Sequence, residues 1–154
     1  MSKIKKHLIY GVATGLGTGL APWAPGTAGS LLALFIVWFF FPSSLLFQLV
    51  LLLLISAVGI WVSHWVSHDS KTKDPQIVVI DEIAGIFFTF FLIPINTWTL
   101  IAGFLLFRIL DIWKPGPIGA AEKLPGGWGI MLDDILSGIL GNILIHITLY
   151  WATH

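Results

Sequence analysis

A helical bundle embedded in a membrane is the fold class this sequence predicts, and three observations carry the expectation. Of 154 residues, 56% are hydrophobic and 10% charged, whereas a water-soluble domain of this size carries about 25% charged residues. Mean hydropathy is +0.92. Long apolar runs alternate with short segments that hold Pro, Gly and most of the charge. The expected architecture is all-α and polytopic, one domain over 1–154. It has about four to five membrane helices and an N-terminal Gly/Pro-rich re-entrant or loop segment.

Residues 1–7 are basic and polar, and 8–30 hold too much Gly, Thr and Pro for a free-standing spanning helix. An opening helix followed by a loop or re-entrant turn at 21–27 fits them better. No uninterrupted apolar stretch follows the lysines, so a cleaved signal peptide is not expected. Residues 31–41 are wholly apolar and predict a helix capped by Thr27 or Ser30, short for a bilayer that needs roughly 20 apolar residues. Pro42-Ser43-Ser44 turns the chain, and 45–66 is a helix of adequate length. A polar connection over 67–75 leads to an apolar helix over 76–93, which at 1.5 Å per residue reaches about 27 Å, enough to cross. After the turn Pro94-Ile95-Asn96, a fourth segment covers 97–113 and is stopped by Lys114-Pro115-Gly116-Pro117. A polar loop over 114–129 precedes the last helix, about 129–151, with Asp133-Asp134 in its first turns.

Loop charge sets the orientation. Lys3, Lys5 and Lys6, then Lys71 and Lys73, then Lys114 and Lys123 occupy three segments separated by two helical hairpins, whose turns carry no Lys or Arg. By the positive-inside rule the three basic segments are cytoplasmic, and every acidic residue then falls at or near that face. Lys plus Arg and Asp plus Glu each number 8, and no basic tract longer than Lys3-Ile4-Lys5-Lys6 occurs, so nucleic-acid binding is not expected. The absence of cysteine excludes disulfides, zinc–thiolate sites and cysteine nucleophiles.

In so apolar a chain the charged residues need a reason. Phe107-Arg108-Ile109-Leu110-Asp111-Ile112-Trp113-Lys114 crowds three charges at a helix end, and Asp81-Glu82 and Asp133-Asp134 stand in similarly apolar surroundings. The topology converges Asp81, Glu82, Asp111, Asp133, Asp134 and Arg108 from three helices at one membrane depth. A lipid-facing carboxylate near mid-bilayer costs a few kcal/mol. Hydration at the interface would explain Asp81-Glu82, a structural ion pair Arg108 with Asp111, and helix-dipole capping Asp133-Asp134. None of these explains five carboxylates together. That excess asks for a cation, and all-oxygen ligands suit Mg²⁺ or Mn²⁺. Arg108 and Lys114 remain for phosphate, Arg by its fork and Lys as a point charge. Lys114 is equally well read as flanking charge. Amides around Pro25-Gly26-Thr27 could cradle a phosphate, although close helix contact accounts for the glycines as well. His64 and His68 have metal-ligand spacing, but Trp61 and Trp65 share their period and no third ligand is local, so an interfacial aromatic belt explains them.

These residues give the chain its resemblance to the phosphatidylglycerophosphatase A family. It is carried by Gly17-Thr18-Gly19-Leu20-Ala21-Pro22 with Ala24-Pro25-Gly26-Thr27-Ala28-Gly29-Ser30, by Ile80-Asp81-Glu82-Ile83-Ala84-Gly85, by Phe107 through Ile118, and by Gly126-Gly127-Trp128-Gly129-Ile130-Met131-Leu132-Asp133-Asp134. The resemblance implies a multi-pass, Mg²⁺-dependent lipid phosphatase of the bacterial inner membrane. Its phospholipid substrate, phosphatidylglycerophosphate, would lose its terminal phosphate at the cytoplasmic face. Asp81, Glu82, Asp111, Asp133 and Asp134 would be ligands, general base or phosphoacceptor. Arg108, Lys114, Gly26 and Thr27 would hold phosphate, and His64, Asp69 and Asp74 match family positions in a supporting role. The competing class is a small proton-coupled transporter or channel component, in which the acids form a relay. A relay strings its acids across the membrane, whereas a hydrolase gathers them on one side.

Overall fold

The computed structural model describes residues 3–153, which are all-helical. In chain order they form α1 (Lys3–Ala13), a 3₁₀ turn (Thr18–Leu20), α2 (Pro25–Phe40), α3 (Leu45–Ser70), α4 (Ile80–Thr89), α5 (Thr97–Trp113), α6 (Pro117–Ala121) and α7 (Gly127–Thr153). The short α4 is the centre: eight of its ten residues are buried, and α2, α3, α5 and α7 all pack on it.

Two helices, α3 and the stretch Gly127–Ala152 of α7, are long and apolar enough to cross a membrane. In α3 only 22% of the apolar window is buried, so α3 is not the core helix of a soluble protein. Its outward face exposes Leu46, Phe47, Leu53 and Leu54, and α2 and α5 do likewise with Phe35, Phe40, Ile112 and Trp113. Apolar surface on this scale marks contact with lipid or partners rather than water.

The helix expected over 76–93 is the main correction. Only Ile80–Thr89 is helical, about 15 Å at 1.5 Å per residue, half of what a bilayer needs. Residues 76–79 run in irregularly, and the chain leaves the helix for turns after Thr89. Such backbone survives at depth only if its polar groups are satisfied internally. Asn142 of α7 donates to the carbonyls of Thr89 (3.0 Å) and Phe91 (2.7 Å). Gln48 of α3 accepts from the Leu92 amide (2.9 Å) and donates to the Pro42 carbonyl (2.7 Å). An apolar run of eighteen residues reads as one helix, and nothing local in it signals these distant side-chain caps.

Other boundaries move for local reasons. The helix expected from 31 begins at Pro25, with Pro at its first position and Ala24 before it, so Thr27 and Ser30 lie inside it and cap nothing. Pro suits that position because its missing N–H would be unsatisfied anyway. The helix expected over 45–66 continues to Ser70, through residues read as loop. Within the loop 114–129 the one-turn α6 was not anticipated, and α7 starts at Gly127. The segment 97–113 is as expected, opened by Asn96, which accepts from the Trp98 and Thr99 amides while Thr99 returns the bond.

The crossing of α4 with α7 depends on glycine at Gly138. A Cβ there would run into the Gly85 carbonyl of α4, so the backbones touch and the acids of both helices are drawn together. Depth follows from α3: Gly59 lies against Met131 of α7 and Ile80 at the start of α4, about 16 Å along α3 from Ser70.

Candidate active site

Three carboxylates meet where α4 begins. Asp81 and Glu82 occupy the first turn of α4, where the helix dipole favours negative charge, and Asp134 comes from the second turn of α7. Each offers one oxygen, and these oxygens lie within 4.8 Å of one another. Asp81 is 8% exposed and Asp134 3%.

The other two acids are each held by a cation. Asp111, in the last turn of α5, takes the Arg108 guanidinium at 2.7 Å. Asp133 takes the Lys114 ammonium at 2.6 Å, which also reaches Glu122 at 2.9 Å. Lys114 follows the last turn of α5 with left-handed φ of 48°, which turns its side chain back toward α7. The five carboxylates are thus not a single ligand cluster: two are engaged by Arg108 and Lys114, and the other three make no ion pair among the described residues. Burying a charge costs several kcal/mol even after relaxation.

All five line one cavity of about 410 Å³, which Arg108, Lys114 and Gly26 also line. Oδ1 of Asp81, Oε2 of Glu82 and Oδ1 of Asp133 are buried without a hydrogen-bond partner. Buried polar atoms are nearly always satisfied, so the unpartnered carboxylate oxygens fit the ligands of a cation, and an all-oxygen donor set fits Mg²⁺ or Mn²⁺.

The start of α2 forms the facing wall. A Cβ on Gly26 would strike Glu82 Oε1 and come within 3.5 Å of Arg108 Nη1, so only glycine lets the helix end approach so closely. The first turn of a helix leaves its amides without intrahelical partners, and in α2 this concerns Gly26 and Thr27, Pro25 having no N–H. The side chain of Thr27 does not line the cavity. Asp74, on the loop between α3 and α4, does. His64 sits outside it, against Gly126 ahead of α7. Asp69 is also elsewhere: it takes Lys6 and the Tyr10 hydroxyl, each at 2.7 Å, and clasps α1 to α3.

With the geometry in place, comparison with known proteins becomes informative. The family model described as Phosphatidylglycerophosphatase A matches residues 11–149. The chain belongs to this family. The Escherichia coli (strain K12) protein named Phosphatidylglycerophosphatase A is 40% identical over 151 residues, covering 94% of this chain and 84% of that protein. The Haemophilus influenzae protein of the same name is 36% identical over 146 residues, 93% of this chain and 90% of that one. A Bacteroides thetaiotaomicron protein named "Putative phosphatidylinositol-3-phosphatase" is 39% identical over 142 residues, 87% and 89% of the two chains. No solved structure matches.

Two residues around the family's acidic cavity escaped the sequence reading. Ser30 is fully buried, accepts from Arg108 Nη1 at 3.5 Å and donates to the Gly26 carbonyl at 2.8 Å. Its signal was the spacing Gly26 to Ser30, one helical turn, visible only once α2 is known to start at Pro25. Glu122 had no local signal, because its partner Lys114 lies across the α6 turn.

Proposed function

We propose that this protein hydrolyses the terminal phosphomonoester of phosphatidylglycerophosphate to phosphatidylglycerol and phosphate, with Mg²⁺, at the cytoplasmic face of a bacterial inner membrane. The observation that carries the reading is three carboxylates without a cation beside Arg108 in one cavity. The names of the Escherichia coli and Haemophilus influenzae relatives support the substrate. Asp81, Glu82 and Asp134 would hold the ion, which when bound supplies charge neutralisation and a more acidic water. Arg108 presents its fork to the non-bridging oxygens, with Asp111 and Ser30 fixing its orientation. The Gly26 and Thr27 amides add donors along the dipole of α2. Lys114 adds positive charge and keeps Asp133 in place, with Asp133 and Asp111 orienting cations rather than holding the metal.

The reading includes a topology. The whole chain acts as one domain; α2, α3, α5 and α7 cross the bilayer, and α4 with the turns after it completes a fifth passage. All eight acidic residues lie on the segments at the basic end, which favours hydrolysis over a proton relay.

The test is phosphate release from phosphatidylglycerophosphate by purified protein in mixed micelles, with Mg²⁺ or with chelator. Release only with Mg²⁺ is expected. Folded protein that releases none in either condition overturns the assignment. A parallel arm with phosphatidylinositol 3-phosphate addresses the activity named for the Bacteroides relative, and faster turnover there would reassign the substrate.

A further inference from the structure

Six acidic residues line the cavity: Asp74, Asp81, Glu82, Asp111, Asp133 and Asp134. Three form the cluster and two are engaged by cations. Asp74 is different. Among the described residues its carboxylate makes no hydrogen bond and no ion pair, and it is exposed. It also lines a second recess of about 70 Å³ with Lys73, Glu122 and Gly129. Asp74 therefore stands where the cavity meets this recess, on the solvent side of the buried Asp81 and Asp134.

Hydrolysis of an alkyl phosphomonoester poses a problem beyond neutralising the phosphoryl charge. The leaving oxygen belongs to a primary alcohol, whose alkoxide is a strong base, so it departs well only if it receives a proton. A phosphoryl group held between the buried cluster and Arg108 would turn its leaving oxygen toward the outer part of the cavity. There the acid must reach the oxygen, exchange protons with water, and owe none of its lone pairs to a cation. Asp74 lines the cavity, is open to water and makes no ion pair among the described residues, and no other acid lining the cavity combines the three.

We propose that Asp74 is the general acid that protonates the leaving alcohol. The inference rests on the phosphatase reading above. The oxygen of water bonds to phosphorus as the bond from phosphorus to the glycerol oxygen breaks. The carboxyl proton of Asp74 passes to that oxygen, giving the neutral alcohol. One proton of the attacking water stays on the phosphate, the other goes to solvent, and solvent reprotonates Asp74 through its exposed face. The surroundings suit the role: although the residue is open to solvent on one side, desolvation by the cavity wall raises its pKa above the usual carboxylate value, Lys114 opposes this, Glu122 and Asp111 add to it, and Lys73 opposes it.

Changing the leaving atom tests the assignment. Wild type, Asp74→Asn and Asp74→Glu are assayed on the natural oxygen ester and on an analogue with sulfur at the bridging position, since a thiolate leaves without a proton. Asp74→Asn should lower kcat on the oxygen ester about 10²–10⁴-fold with KM little changed, and on the sulfur analogue by less than about tenfold. Asp74→Glu, which keeps the proton, should stay within about tenfold of wild type on both. Equal losses of Asp74→Asn on the two substrates, or no loss on the oxygen ester, overturn the proposal. Inactive wild type counts against the phosphatase reading instead.

Discussion

At Lys114 a cation holds two acids that would otherwise repel each other. Its ammonium lies 2.6 Å from Asp133 and 2.9 Å from Glu122, and the Asp133 side chain is 5% exposed. Lys114→Met leaves a buried carboxylate without its partner and should destabilise the protein by about 2–4 kcal/mol, somewhat under the fully buried range because Lys114 keeps some solvent. The double variant Lys114→Met with Asp133→Asn should recover most of that loss in thermal unfolding of the detergent-solubilised protein. No recovery would mean that the pair is not what Lys114 stabilises. The cluster behaves oppositely: Asp81, Glu82 and Asp134 are mutually repulsive without a cation. Asp134→Asn should therefore preserve or raise the stability of the metal-free protein while weakening Mn²⁺ binding, read by electron paramagnetic resonance, and lowering activity at least about a hundredfold. Full activity in Asp81→Asn, Asp111→Asn and Asp134→Asn alike would refute a shared site.

The element that makes the site is α4, and what makes α4 possible is its two ends. Its start places two acids in the first turn, and the carbonyls at and beyond its end are closed by Asn142. Asn142→Leu orphans two carbonyls at depth and should cost about 2–4 kcal/mol, with activity falling in parallel because the helix loses its anchor on α7. If unfolding temperature is unchanged, the cap is not structural. The start of α2 admits a subtler test. Gly26→Ala puts a methyl group against Glu82, so activity should drop by at least about tenfold, since small misplacements of reacting groups are costly. The bundle itself should remain folded by circular dichroism.

Across the whole molecule, charge and shape agree. The basic loops and the acids lie at one end, while the turns joined by Gln48 close the other, and α2, α3 and α5 expose apolar faces around the bundle. The chain lacks cysteine, so single replacements report sidedness directly. In intact cells Ser43→Cys should react with a membrane-impermeant maleimide, whereas Lys71→Cys and Lys123→Cys should react only after the membrane is opened. The reverse pattern would turn the proposed orientation over. Gly59 of α3, about 16 Å from the end of that helix, lies against Met131 and Ile80 beside the acids of α7 and α4, while Asp74 is exposed on the loop that leads into α4.

Much of this was legible without coordinates, because the bilayer makes the code simple. Hydrophobic runs marked the helices, and proline and glycine their ends, so the segment 97–113 was read directly. The family motifs were legible too, since they are strings of residues. Tertiary structure alone decided three things. It shortened 76–93 to Ile80–Thr89, because the caps that permit the break come from Gln48 and Asn142, far away in sequence. It divided five carboxylates into a cluster of three and two ion pairs, because charge pairing depends on ångström distances between helices. It separated Asp74, at the cavity, from Asp69, which joins α1 to α3, and from His64, which lies against Gly126. Sequence determined the apolar, helical character and the inventory of charges, because those depend on composition and order along the chain. Which charge meets which partner was left to the crossing of α4 and α7, where backbone contact at Gly138 sets the geometry.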